Sequence, residues 1–190
     1  MYISQDMLAE IERQYGTPAE RTFGVAVGRD EYDFIKSSQT DGRNHDVTLY
    51  ITKGDKVIVN SKHFYPPDLY RAPSGGIQLG EDFHTGVFRE VAEEIGCEVA
   101  LERYIMRTSV AFVCGRDMIH WRSFVFLGRY ISGDFDFTDH REIREVHVAD
   151  WSEFEHYGRV MRESDKGGLH YRAAMHDEFM SLVAEYVNVR

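Results

Sequence analysis

SGGIQLGEDFHTGVFREVAEEIGCE, residues 74–98, is the stretch on which the reading of this chain turns. Placed on a helix from about Phe83, it sends Val87, Phe88, Val91, Ala92 and Ile95 toward a core, and Gly96 ends it. Glu90, Glu93 and Glu94 then share the opposite face, because neighbours at i+3 and i+4 lie within about 5–6 Å. Like charges so spaced cost an isolated helix roughly 0.2–0.5 kcal/mol per pair. Carboxylates aimed at one point are what a hard divalent cation takes as ligands, whereas a solvated helix face is the plainer reading. Upstream, Gly75, Gly76 and Gly80 let backbone groups approach a ligand closely. Gly86, one turn before Glu90, is expected to leave that face open for a metal or phosphate. Arg89 can reach Glu93 along the helix or bend back to Glu81.

Working outward, the flanks are mostly strand-like. Val47, Leu49 and Ile51 alternate, Gly54-Asp55 makes a turn, and Val57-Ile58-Val59 follows, which is a hairpin pattern. Earlier, Phe23, Val25 and Val27 alternate, and Tyr32 and Phe34 are read as continuing that strand after a turn at 28–30. Two long β-type runs, 99–113 and 118–131, are joined by Cys-Gly-Arg-Asp, and a third follows at 143–148. Residues 4–15 carry Met7, Leu8 and Ile11 among charges, a short amphipathic helix stopped by Gly16. The last forty residues return to helical spacing, with Phe179, Leu182, Val183 and Tyr186 on one stripe. Residues 60–74, with Pro66, Pro67 and Pro73, read as irregular. A helix amid strands with helices at both ends implies an α+β domain.

Composition bounds the partners. The 190 residues carry 22 basic and 32 acidic side chains, a net charge of −10. Counterion-release binding to DNA or RNA needs clustered Lys and Arg, and no basic run occurs, so polymeric nucleic acid is not expected. A small phosphorylated ligand stays open, since a metal ion reverses the local sign. No apolar run approaches about 18 residues, so no membrane span is expected. The first residues lack the basic-then-apolar order of a signal peptide, which points to the cytoplasm. Cys97 and Cys114 are too few for a disulfide framework or a thiolate zinc site, and they read as buried thiols.

Residues 75–97 resemble the Nudix box, G-x5-E-x7-R-E-U-x-E-E-x-G-U with U aliphatic. Gly75, Glu81, Arg89, Glu90, Val91, Glu93, Glu94 and Gly96 stand in place, and Cys97 replaces the final aliphatic residue. The Pro-Gly-Gly usual before the box is Pro73-Ser74-Gly75. The resemblance implies an α/β/α sandwich with a mixed sheet spanning 1–190. An N-terminal helical extension at 1–20 and an extra C-terminal helical segment at 152–190 would flank it. It implies Mg²⁺- or Mn²⁺-dependent cleavage of a nucleoside diphosphate linked to a second group, an ADP-sugar being one such substrate; a homodimer is compatible with it. It implies Gly75, Glu90, Glu93 and Glu94 as metal ligands, with Glu81 paired to Arg89. The water-activating carboxylate stays open between Glu93 in the box and Asp139, Glu142 or Glu145 on a later loop, with Glu142 preferred because it precedes the regular strand. Tyr70 and Arg71 are candidates for stacking a base and binding phosphate. His84 reads as a first-turn surface residue. The competing class is a Nudix-like module that binds a nucleotide metabolite without cleaving it. Such modules typically lose box carboxylates, and here all four glutamates are present.

Overall fold

A computed structural model describes residues 2–184 of the chain. α1 (Gln5–Tyr15) starts where Ser4 Oγ accepts from the Met7 amide and stops at Gly16; it buries Leu8 and Ile11. β1 (Ala19–Ala26) follows with an alternating burial pattern. Residues 29–37 correct the expected strand continuation: Arg29–Ser37 is a helix, α2. Its first turn carries Asp30 and Glu31, which favour a helix N-terminus. Residues two apart lie on different sides of a helix, so Tyr32 is buried while Phe34 is exposed.

The hairpin forms as expected from β2 (His45–Lys53) and β3 (Lys56–Lys62), the second strand running three residues past Val59. β4 (Ser74–Gly75) pairs with β2 at Val47 and Thr48, pinning the glycine-rich turn to the sheet. α3 (Phe83–Glu94) is the helix of the 74–98 segment. β5 (Glu98–Cys114), β6 (Asp117–Ser132) and β7 (Ile143–Ala149) follow. α4 (Glu153–Glu163) and α5 (Gly167–Val183) complete the described chain. The sheet order is β1-β5-β6-β2-β3-β7. β1 is parallel to β5 and β2 is parallel to β6, while the other pairs are antiparallel, so the sheet is mixed.

Helices cover both faces, and the core is accordingly double. On one face Leu8, Ile11, Val87, Val91 and Ile95 pack on Val47, Leu49 and Ile51. On the other, Tyr32, Phe154, Tyr157, Tyr171 and Phe179 pack on Tyr50 and Val125. Covering on both sides makes β2 buried nearly throughout rather than alternating. In the expected C-terminal stripe Phe179 and Val183 are fully buried and Leu182 is half-buried; Tyr186 lies outside the described residues. Among the described residues, no helix is long and apolar enough to cross a membrane.

Candidate active site

α3 is fixed at both ends. Asp82 caps it, its Oδ1 accepting from the His84 and Thr85 amides at 3.0 and 3.2 Å. At the other end the Glu93 carbonyl accepts from the Thr138 and Asp139 amides at 3.0 and 2.9 Å, which brings the loop before β7 against the helix. Gly96 has φ +70°, and a Cβ there would lie 2.3 Å from the Asp136 backbone, so this close passage requires glycine. Val87, Val91 and Ile95 are buried as expected, but Phe88 and Ala92 are exposed. Both lie on the same edge of the helix, so the apolar stripe is narrower on that side than the periodicity suggested. Glu94 occupies the inner edge instead, buried at 4% exposure.

The four glutamates and Arg89 form a clamp. Arg89 Nε and Nη2 donate to the two Glu81 oxygens at 2.9 and 3.0 Å. Nη1 donates to Glu90 Oε1 at 2.9 Å and Glu93 Oε2 at 3.1 Å, and Nη2 also reaches the Gly76 carbonyl at 3.1 Å. Arg89 therefore takes both of the partners expected for it, and Glu90 besides. Its hydrogen bonds hold the Glu81 carboxyl below the usual range, and the same bonds, accepted by Glu81, raise Arg89 in turn. Burial pushes Glu90 up, assisted by the Glu94 and Glu93 charges and opposed by Arg89.

Two glycine positions are cradles. A Cβ on Gly75 would lie 2.0 Å from Glu90 Oε2, and one on Gly76 would lie 1.4 Å from Arg43 Nη1. Glu90 and Arg43 thus sit directly on the turn. Gly86 does something other than expected: a Cβ there would lie 2.7 Å from both Glu81 Oε2 and Ile77 Cδ1. Its face is filled by the folded-back turn rather than left open to a ligand.

The Glu90, Glu93 and Glu94 side chains start from one helix face but diverge. Among the described residues, no three His, Cys, Asp or Glu side chains are gathered as a metal ion would gather them. Arg89 draws Glu93 outward, while Glu94 turns into the sheet. There Asn60 Nδ2 donates to Glu94 Oε2 at 3.0 Å and Lys62 Nζ to Oε1 at 3.3 Å. Lys62 also pairs with Glu142. The Lys62 and Glu94 side chains are each 6% exposed, against 41% for Glu142. An unpaired ammonium at that depth costs several kcal/mol, so the two carboxylates are what keeps it there.

These groups line one wall of a cavity of about 850 Å³. Glu90, Glu94, Lys62 and Glu142 form its acidic side. Arg43, Arg71, Arg172 and the aromatic rings of Trp121 and Phe112 also line it. Arg43 lies over the Trp121 ring, 6.0 Å from its centroid. Arg172, from α5, donates to Thr48 Oγ1 at 3.0 Å and pairs with Asp46. Of the residues expected at a substrate site, Arg71 reaches the cavity, buried and donating to Tyr65 Oη and Ser74 Oγ. Tyr70 does not, because consecutive residues in extended chain point oppositely. Its hydroxyl donates to Glu145 at 2.7 Å and its ring packs beside Tyr157. Glu145 is thereby held away from the cavity too. Asp139 Oδ1 accepts from the Glu142 amide at 3.2 Å and shapes the turn that presents Glu142. His84 sits in the first turn with Nε2 2.8 Å from the Tyr15 hydroxyl. Cys97 is buried and Cys114 half-buried, both as free thiols. Asn60, Lys62, Arg43, Trp121 and Arg172 were not foreseen from the sequence.

The NUDIX domain family matches residues 42–170, which spans the clamp, the acidic side of the cavity and the start of α5. This chain belongs to the NUDIX family. Two strains of Pseudomonas aeruginosa, LESB58 and PAO1, each have an NAD-capped RNA hydrolase NudC that is 32% identical over 86 residues. The match takes in 45% of this Nudix chain and 29% of each relative, so the likeness spans under a third of their length. Among solved structures, a NUDIX hydrolase from Nitrosomonas europaea superposes with TM-score 0.56 at 18% identity, over 73% of this chain and 89% of that one. A UDP-X diphosphatase does so with TM-score 0.54 at 13% identity, over 82% and 72%. At such identities these structures speak to the fold, and the mixed sheet with helices on both faces is the Nudix fold.

Proposed function

We propose that this Nudix chain is a divalent-metal-dependent pyrophosphohydrolase that cleaves a nucleoside diphosphate linked to a second group. The observation that carries the reading is the charge balance of the ion-pair network around Arg89 and Lys62. Five carboxylates, on Glu81, Glu90, Glu93, Glu94 and Glu142, share two cations, Arg89 and Lys62. The donors would be oxygens only: the Glu90 and Glu94 carboxylates, with the Gly75 carbonyl as the family resemblance implies, and the Asn60 Oδ1 atom is buried and unpartnered. That set fits Mg²⁺ or Mn²⁺ and suits neither zinc nor copper. Small rotations of Glu90 and Glu94 would complete it, and Glu93 would join from the outer edge. The bound ion would neutralise diphosphate charge and make a bound water more acidic.

The remaining work falls to the chain's own groups. Arg43, Arg71 and Arg172 would hold phosphate oxygens, and Trp121 or Phe112 would offer a face to a base. Glu142 is our choice of proton acceptor, because it stands in the cavity wall, held there by its ion pair with Lys62. Glu81 and Arg89 would position Glu90 and Glu93 rather than touch substrate. An ADP-sugar is one candidate within this class, and the NAD-capped RNA of the NudC name is another nucleoside diphosphate derivative. The net charge of −10 favours a small substrate over an RNA chain. Retention of all four box glutamates argues for cleavage over mere binding. The test is a panel of nucleoside diphosphate derivatives incubated with Mg²⁺ and scored by mass for a nucleoside monophosphate and a second phosphorylated product. Turnover of at least one compound is expected; binding with no product from any would favour the non-catalytic module.

A further inference from the structure

Lys62 is an unusual resident for a site that must take up a metal. It comes from the last position of β3, and its ammonium lies in the sheet-side wall between two carboxylates contributed by different elements. One is Glu94 on α3, at 3.3 Å; the other is Glu142 on the loop before β7. Asn60, two residues earlier on the same strand face, binds the other oxygen of Glu94 at 3.0 Å. Both Glu94 oxygens are thus engaged from β3. Glu90, by contrast, turns its Oε2 against Gly75.

We propose that the Lys62 ammonium is a built-in cation of this site, occupying the place between Glu94 and Glu142 that a further divalent ion would take. Metal then loads between Glu90 and Glu94 on the Gly75 side, using carboxylate lone pairs that Asn60 and Lys62 leave free, with Lys62 remaining in position beside it. The physical reason is mutual exclusion. A divalent ion bridging Glu94 and Glu142 would share its ligands with an ammonium in contact with both, and two cations at such separation repel strongly in a poorly solvated wall. Lys62 also orders Glu142 at no cost in metal, making it a positioning residue for that carboxylate. The inference rests on the metal-dependent reading above, and its test separates the two.

The probe is Mn²⁺ alone, titrated into the full chain and counted by electron paramagnetic resonance of the free ion. The wild type is compared with Lys62→Met and Lys62→Arg. Lys62→Met should bind one more Mn²⁺ per chain than the wild type, and Lys62→Arg, which keeps the cation, should match the wild type. A purely structural lysine would lower the melting temperature of Lys62→Met without changing the number of ions. Equal stoichiometry in wild type and Lys62→Met overturns the proposal and leaves the metal site standing. No Mn²⁺ bound by either overturns both. Should Lys62→Met fail to fold, the wild type decides the matter through ¹⁵N-lysine spectra. An ammonium held by two carboxylates exchanges slowly, and its signal should persist at saturating Mg²⁺. Its disappearance on adding Mg²⁺ would mean that Lys62 is displaced, which refutes the proposal.

Discussion

Replacing Arg89 by lysine keeps the charge and removes the geometry, so it measures what the clamp itself contributes. Arg89 spends its guanidinium on five contacts: two to Glu81, one each to Glu90 and Glu93, and one to the Gly76 carbonyl. A lysine ammonium has three donors from one point and cannot span Glu81 and Glu93 together. Hydrogen bonds to charged groups are worth about 1.5–3 kcal/mol each. The Arg89 side chain is 22% exposed and a lysine would regain one or two bonds, so we expect a net loss of about 2 kcal/mol. For a chain of this size that lowers the melting temperature by about 4–8 °C. The turn carrying Gly75 and the Glu90 carboxylate would drift, and kcat should fall about 10- to 100-fold. The pH dependence has a definite sign. Arg89 lowers the Glu81 pKa in the folded state, which stabilises the fold above the unfolded carboxylate pKa and is lost as pH falls through the folded one. The gap between wild type and variant should therefore narrow in acid, below about pH 4. Differential scanning fluorimetry across pH, paired with steady-state kinetics, measures both. A variant melting within about 1 °C of the wild type at pH 7, with kcat unchanged, would refute the clamp.

Other positions give sharper yes-or-no outcomes. Gly75→Ala puts a methyl 2.0 Å from Glu90 Oε2, so it should fold yet bind Mn²⁺ about tenfold more weakly by calorimetry, a change of about 1.4 kcal/mol. His176 is buried against Phe154 and Tyr50, and burial pushes its pKa down to about 4. The unfolded chain then binds more protons below about pH 6.5, so stability should fall as pH drops toward 4, by about 2 kcal/mol at pH 5 from this group. His176→Phe should flatten that limb in urea melts, with the remainder left to His45, which burial also pushes down to about 4. For water activation, Glu142→Gln should lower kcat by about 10²–10⁴ at saturating Mg²⁺, while Glu145→Gln, tied to Tyr70, stays within about threefold. A large loss in Glu93→Gln with Glu142→Gln unaffected would move the base into the helix.

What was legible in the sequence was what local periodicity and a spaced motif can carry. The two hairpins, the helix at 83–94 and the Glu81–Arg89 pair all depend on residues within a few turns of one another. The misreadings share a cause. Tyr32 and Phe34 fit a period of two, but only Tyr32 finds a core, and the acidic first turn decides for helix. Phe88 and Ala92 lie at the margins of an apolar stripe, where only the neighbouring element decides burial. Tyr70 and Arg71 were assigned together although an extended chain sends adjacent side chains apart. The residues missed outright arrive from far along the chain. Lys62 meets Glu142 through the β3–β7 pairing and Glu94 from α3, and Arg172 meets Asp46 and Thr48 through the packing of α5 on the sheet. Nothing local to a lone lysine at a strand end, or an arginine in a helix, marks it as part of a cavity.

The central claim is that these carboxylates hold a divalent ion for cleavage of a diphosphate by water. Its most direct test is hydrolysis of the best substrate from the panel in ¹⁸O-water, with Mg²⁺ or with EDTA, for the wild type and Glu94→Gln. The account predicts that with Mg²⁺ the wild type yields two phosphorylated products, one carrying a single ¹⁸O. It predicts that EDTA abolishes the reaction and that Glu94→Gln lowers the rate by about 10²-fold or more. Turnover undiminished in EDTA, or products without ¹⁸O on phosphorus, would contradict it.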